Sequence, residues 1–152
     1  MSRVFNSPFE VSMRVLLALL AETTPRTMDM IAAIDFISVY GKTFGIAETN
    51  LHGDNYYKYG EFTTRRAIVK KAIRQLLQNE MVDVYEKKDG FYFMINDVGE
   101  EYCVSLSSQY AIEYAKVAKA AMTFIGTKSD KEVIKAIISK SSTGLKIGGH
   151  DE

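Results

Sequence analysis

The stretch from Thr63 to Ile95 constrains the fold most. In its first half, Ile68, Val69, Ala72, Ile73, Leu76 and Leu77 recur at steps of three and four, which puts them on one apolar face of a helix. Arg66, Lys70 and Arg74 sit four apart and line up as a basic stripe elsewhere on the same cylinder. Thr63 or Thr64 suits the N-cap, where a hydroxyl accepts from an orphan N–H. In the second half, Val82, Val84, Phe91, Phe93 and Ile95 alternate with polar and aromatic residues around Lys87-Lys88-Asp89-Gly90. Asp-Gly suits a tight turn with positive φ, so this half reads as a hairpin. A basic helix followed at once by a β-hairpin is the core of a winged helix. The expected fold is therefore mainly α with a small β-hairpin, a winged helix-turn-helix-like domain closed by a long C-terminal helix.

The flanking segments agree. Ser7-Pro8-Phe9-Glu10 carries a helix start: Ser7 as cap, Pro8 in the first turn and Glu10 to bond back. That helix should run to about Glu22, before Thr23-Thr24-Pro25 breaks it. A second helix begins near Thr27, carries Met28, Ile31, Ile34, Ile37 and Val39 inward, and stops at Gly41. Beyond the hairpin, Asn96 to Glu100 reads as a cap. Val98, Tyr102, Leu106, Tyr110, Tyr114 and Val117 then predict one helix over 97–125. Its second half mixes small and apolar residues with Lys116 and Lys119, as a surface that meets another helix does. Residues 1–126 thus form the winged-helix-like domain. Ser129-Asp130-Lys131-Glu132 opens a short helix, and from Ser141 a flexible tail is expected within 127–152.

Residues 41–62 have no clean period but hold four glycines and five aromatics. The aromatics argue for a packed loop, either covering an edge of the core or binding a partner through His52, Asp54, Tyr56 and Tyr57.

Catalytic motifs do not assemble. Gly41-Lys42-Thr43 resembles the end of a phosphate loop, yet Phe36 stands where that loop needs glycine, and a helical pattern precedes it. His52-Gly53-Asp54 reads more readily as a turn than as a proton-transfer pair. Cys103 is the single cysteine, so no internal disulfide or cysteine metal site forms, and a small buried hydrophobe is the better reading. Glu100 and Glu101 are adjacent on a helix and point apart; they suit its N-terminal dipole. The expectation is a non-enzyme without metal, cofactor or small-molecule substrate.

The basic helix carries more weight. With 19 Lys and Arg against 19 Asp and Glu the chain is neutral, so any attraction to polyanions must be local. Between Thr63 and Asn79, Arg65, Arg66, Lys70, Lys71 and Arg74 meet no anion, and Lys87 and Lys88 fall at the wing tip. These residues can face phosphates or an acidic protein surface; spacing alone leaves the two open. The longest apolar run, Val15 to Ala21, is too short to span a bilayer, and the chain starts without a signal pattern, so a cytoplasmic protein is expected.

The order of pieces adds a resemblance. Asn6-Ser7-Pro8-Phe9-Glu10, Leu51-His52-Gly53-Asp54-Asn55, the helix from Arg65-Arg66 to Leu77 and the hairpin ending in Phe91-Tyr92-Phe93 resemble the middle component of ABC-three-component systems. These are bacterial anti-phage operons that include the Lamassu type. The resemblance covers residues 6–125 and rests on no catalytic motif. It implies a small adaptor between an SMC-like ABC ATPase and an effector, often a nuclease, assembled or released when foreign DNA is sensed. The alternative from another class is a winged-helix transcriptional regulator that dimerises through 97–125 and reads DNA with Arg66, Lys70 and Arg74.

Overall fold

The computed structural model describes residues 7–52 and 60–150, the last ten by backbone alone. The elements follow as α1 (Pro8–Ala21), α2 (Met28–Val39), α3 (Glu61–Gln78), β1 (Val82–Lys87), β2 (Gly90–Ile95), α4 (Asp97–Val104), α5 (Gln109–Ile125) and α6 (Asp130–His150). The fold is mainly helical with one antiparallel two-stranded hairpin, as the periodicities predict.

α2 lies at the centre, and α1, α3, α5 and α6 all pack on it. Every residue from Met30 to Val39 is buried, so beyond its first two residues the helix has no solvent face. The expected single inward stripe was too narrow. A helix apolar all round is stable only where neighbours cover every side. Its N-terminal end is tied by one side chain: the Thr27 hydroxyl accepts from Met30 N at 3.1 Å and donates to Asp130 at the start of α6. α1 begins with Ser7 accepting from Glu10 N at 3.2 Å, as expected, but the return bond from Glu10 is not made: its Oε1 is buried with no hydrogen-bond partner among the described residues.

α3 starts earlier than expected. Gly60, not Thr63 or Thr64, holds the N-cap position, and the Thr64 hydroxyl donates to Gly60 O. The hairpin pairs Val82 with Ile95, Val84 with Phe93 and Lys87 with Gly90, whose φ of 135° closes the turn. Val82, Phe93 and Ile95 turn inward to the helices. On the outer edge of β2, Arg26 and Phe93 exchange backbone hydrogen bonds of 2.9 and 2.7 Å, so the link between α1 and α2 adds a one-bridge third strand.

The single helix expected over 97–125 is two helices. Ser105 ends α4, its hydroxyl donating to Tyr102 O at 2.6 Å, and Ser108 caps α5 by accepting from Ala111 N. Serine competes with the helix for its own backbone bonds, and here it interrupts a stripe that spacing alone left continuous. α5 then packs on α1 and α2. After Gly126, Ser129 and Glu132 exchange both capping-box bonds, and α6 continues to His150 rather than stopping short; Val133 and Ile137 bury their side chains.

Residues 41–52 fold over the end of α2 and against α5. Phe44 is buried with its ring edge-on to Phe124, and Asn50 accepts from the Lys42 and Thr43 amides. A Cβ at Gly41 would stand 2.8 Å from Ala47 Cβ and 3.2 Å from Val117. This glycine serves close packing.

Candidate interaction site

The five cations of α3 divide by face. Phe62, Arg65, Val69, Ala72, Ile73 and Leu76 form the buried side. Arg65 is thus not on the outer ridge: it lies four residues before Val69 and eleven before Leu76, at inward-facing steps, and is only 7% exposed. Arg66 is exposed but anchored, donating to Asp29 of α2 at 2.6 Å with its guanidinium over the Phe62 ring. Lys70, Lys71 and Arg74 are exposed and make no ion pair with any described residue. On the hairpin, Lys87 sits 4.5 Å from the centre of the Tyr92 ring, and Lys88 is exposed at the turn. The Tyr92 hydroxyl donates to Asp89 at 2.8 Å, a bond that raises its pKa.

A buried ionic cluster sets how α3 is held. Arg14 Nε donates to Asp35 Oδ1 at 2.8 Å and its Nη2 to Oδ2 at 3.3 Å. Arg65 Nη1 reaches Oδ2 at 3.4 Å, and the Tyr114 hydroxyl donates to Oδ1 at 2.8 Å. Asp35 therefore joins α1, α2, α3 and α5 at one carboxylate. Burial pushes this carboxyl upward, but Arg14 first and Arg65 second outweigh it and hold the pKa at about 2. Burial likewise works against the Arg14 charge, and Asp35 overcomes it. Tyr114, buried beside Asp35, is raised well above the usual phenol value. At the rim, Arg65 pairs with Glu61 at 3.7 Å, and the Tyr40 hydroxyl donates to Glu61.

Sequence reasoning overlooked Arg14 and Asp35. Their signal was present: each is the lone charge inside an apolar helical run, and the two have opposite sign. A charge so placed must find a partner, because an isolated buried ion is very costly.

His52 touches the same cluster from the loop. Its Nε2 is 2.6 Å from the Tyr110 hydroxyl, and the two rings stack at 5.9 Å. Burial, and then the charges of Arg14 and Arg65, lower the His52 pKa to about 3. Burial pushes Tyr110 up to about 12 against the pull of Arg14, to which it hydrogen-bonds. Asp54, Tyr56 and Tyr57, expected to bind a partner with His52, lie outside the described residues. Cys103 is buried, and burial with nearby Glu100 raises its thiol to about 11.

The described residues hold no group of three or more His, Cys, Asp or Glu placed to bind a metal ion, and no helix long and apolar enough to cross a membrane. The arrangement is a cationic helix face held rigidly from behind by ion pairs. Neither a curated protein nor a solved structure matches the chain. Residues 4–146 match one family, the ABC-three component (ABC-3C) system Middle Component 2. The chain belongs to that family, and so is one component of a multi-component, defence-related system that works with protein partners.

Proposed function

We propose that this chain is the non-catalytic adaptor of an anti-phage system of Lamassu type. It bridges an SMC-like ABC ATPase and an effector such as a nuclease in the cytoplasm, and controls their assembly or release when foreign DNA is sensed. The observation that carries this reading is the outward face of α3. Lys70, Lys71 and Arg74 stand without ion pairs, while Arg65 and Arg66 on the same helix are committed to Asp35 and Asp29. Because the α3 backbone is already held in place, only these side chains have freedom to lose on binding, which suits contact with a large partner. Membership of a middle-component family supports the presence of such partners.

Co-purification tests it. The tagged chain, co-expressed with the products of its neighbouring genes, should bring down both an ATPase and an effector. Recovery of the chain alone would end the adaptor reading.

The Arg26–Phe93 bridge favours a second reading, a winged-helix DNA-binding regulator. It makes the element order helix, strand, helix, helix, hairpin, with α3 in the place of a recognition helix and Lys87 and Lys88 on the wing. Such a regulator should form a two-fold dimer with its basic helices about 34 Å apart. It should bind duplex DNA with a log–log salt slope of about −0.9 per phosphate contacted. The absence of salt-dependent binding by the isolated chain would remove it. The same measurement decides whether an adaptor also touches DNA.

A further inference from the structure

Among the described residues, the side of α3 that faces α1 is not closed. Two adjoining clefts share Pro8 and Gln75 and run together along the seam between the helices. Val11, Ile68 and Ala72 line one end with Lys71 at the rim. Phe9, Met13, Leu16 and Leu76 line the other, where Met81 and Tyr102 close it. Phe9 projects from the first turn of α1 with 59% of its surface exposed, so the wall of the groove ends in an unburied aromatic ring. From Ile68 to Asn79 the groove follows three turns of α3, about 16 Å at 1.5 Å per residue. That length accepts three turns of a second helix lying against it.

The charge on the groove is one-sided. Among the described residues, Lys71 is the charged side chain on its walls, Lys70 and Arg74 adjoin it on α3, and no carboxylate lines either cleft. We propose that this α1–α3 groove is the docking seat for an amphipathic helix of another component of the same system. That helix presents an apolar stripe to Phe9, Leu16 and Leu76, and acidic residues to Lys71. The proposal rests on the adaptor reading and names the chemistry of the partner segment. Apolar walls offer nothing to DNA phosphates, whereas a helix that is apolar on one side and acidic beside it uses both the walls and the rim. An exposed aromatic ring such as Phe9 beside apolar walls is also the composition enriched at interface cores.

The test uses the full chain with the ATPase and effector encoded beside it. Phe9→Glu and Lys71→Glu change exposed side chains, and Lys135→Glu on the exposed surface of α6 is the control. A photoreactive benzoylphenylalanine at Gln75 reports what lies in the groove without altering Phe9 or Lys71. Each of the first two variants should weaken the complex roughly tenfold or more, Phe9→Glu by loss of the apolar anchor and Lys71→Glu by like-charge repulsion, with the control unchanged. The crosslink should fall on one partner, in a segment with apolar residues at i, i+3 or i+4 and i+7, flanked by Asp or Glu. Wild-type affinity for both variants would overturn the proposal while leaving the adaptor reading intact. So would a crosslink confined to DNA, to a second copy of this chain, or absent from an assembled complex. If the unsubstituted chain assembles with neither component, the adaptor reading fails and the docking seat with it.

Discussion

Arg14 and Asp35, on neighbouring helices and 21 positions apart in sequence, form an ion pair of 2.8 Å with both side chains at 0% exposure. Desolvating two charges costs several kcal/mol each, so the pair survives only because Arg65 and Tyr114 satisfy the remaining carboxylate sites. Removing the anion alone is the damaging change. Asp35→Asn should lower stability by about 3–5 kcal/mol, read from urea midpoints, because it strands two buried guanidinium groups. The pair Arg14→Met with Asp35→Leu should recover part of that loss, since an apolar pair needs no partner.

The inner and outer faces of α3 should separate cleanly in a stability assay. Arg65→Ala deletes contacts to Asp35, Glu61 and the Phe36 ring, and should cost about 2–3 kcal/mol. Lys70→Ala, one turn on and exposed, should stay within about 0.5 kcal/mol. Equal effects from the two would mean that Arg65 is not held inside.

Acid should act on this protein in two stages. His52 has a folded pKa of about 3, well below its usual value near 6.5, so the unfolded chain binds a proton that the folded chain refuses. Stability is then full above pH of about 6.5 and falls as pH drops toward 3, with a slope below the limit of about 1.4 kcal/mol per pH unit. Asp35 follows, its contribution present above the usual carboxylate pKa of 3.8 and lost as pH falls through about 2. His52→Gln removes the first titration, and should flatten the difference between urea midpoints at about pH 7 and about pH 5.

Gly99 seats α4 on the hairpin. A Cβ there would meet Met81 O at 2.4 Å and Ile95 Cγ1 at 2.7 Å, and a backbone oxygen cannot step aside as a side chain can. Gly99→Ala should cost about 1–3 kcal/mol despite the better helix propensity of alanine, measured by thermal or chemical unfolding. A stabilised variant would show that α4 moves freely on the sheet.

What the sequence determined by itself is the part built from near neighbours. The caps at Ser7 and at Ser129 with Glu132, the turn at Asp89-Gly90 and the alternation through Phe91, Phe93 and Ile95 each depend on hydrogen bonds and side-chain directions within a few residues, so they are legible along the chain. The outward positions of Lys70, Lys71 and Arg74 follow from the same 3.6-residue period, which also placed Arg65 in line with Val69 and Leu76 had it been applied to that residue. Tertiary structure decided the rest. Which anion holds Arg65 depends on Asp35, 30 residues away. That α2 is covered on all sides depends on α5 and α6, which follow it much later in the chain. The groove beside Phe9 is lined from α1 and α3 together, with Met81 and Tyr102 from later in the chain. Charge pairing and burial act between surfaces brought together by folding, and no period within one helix records which surface arrives.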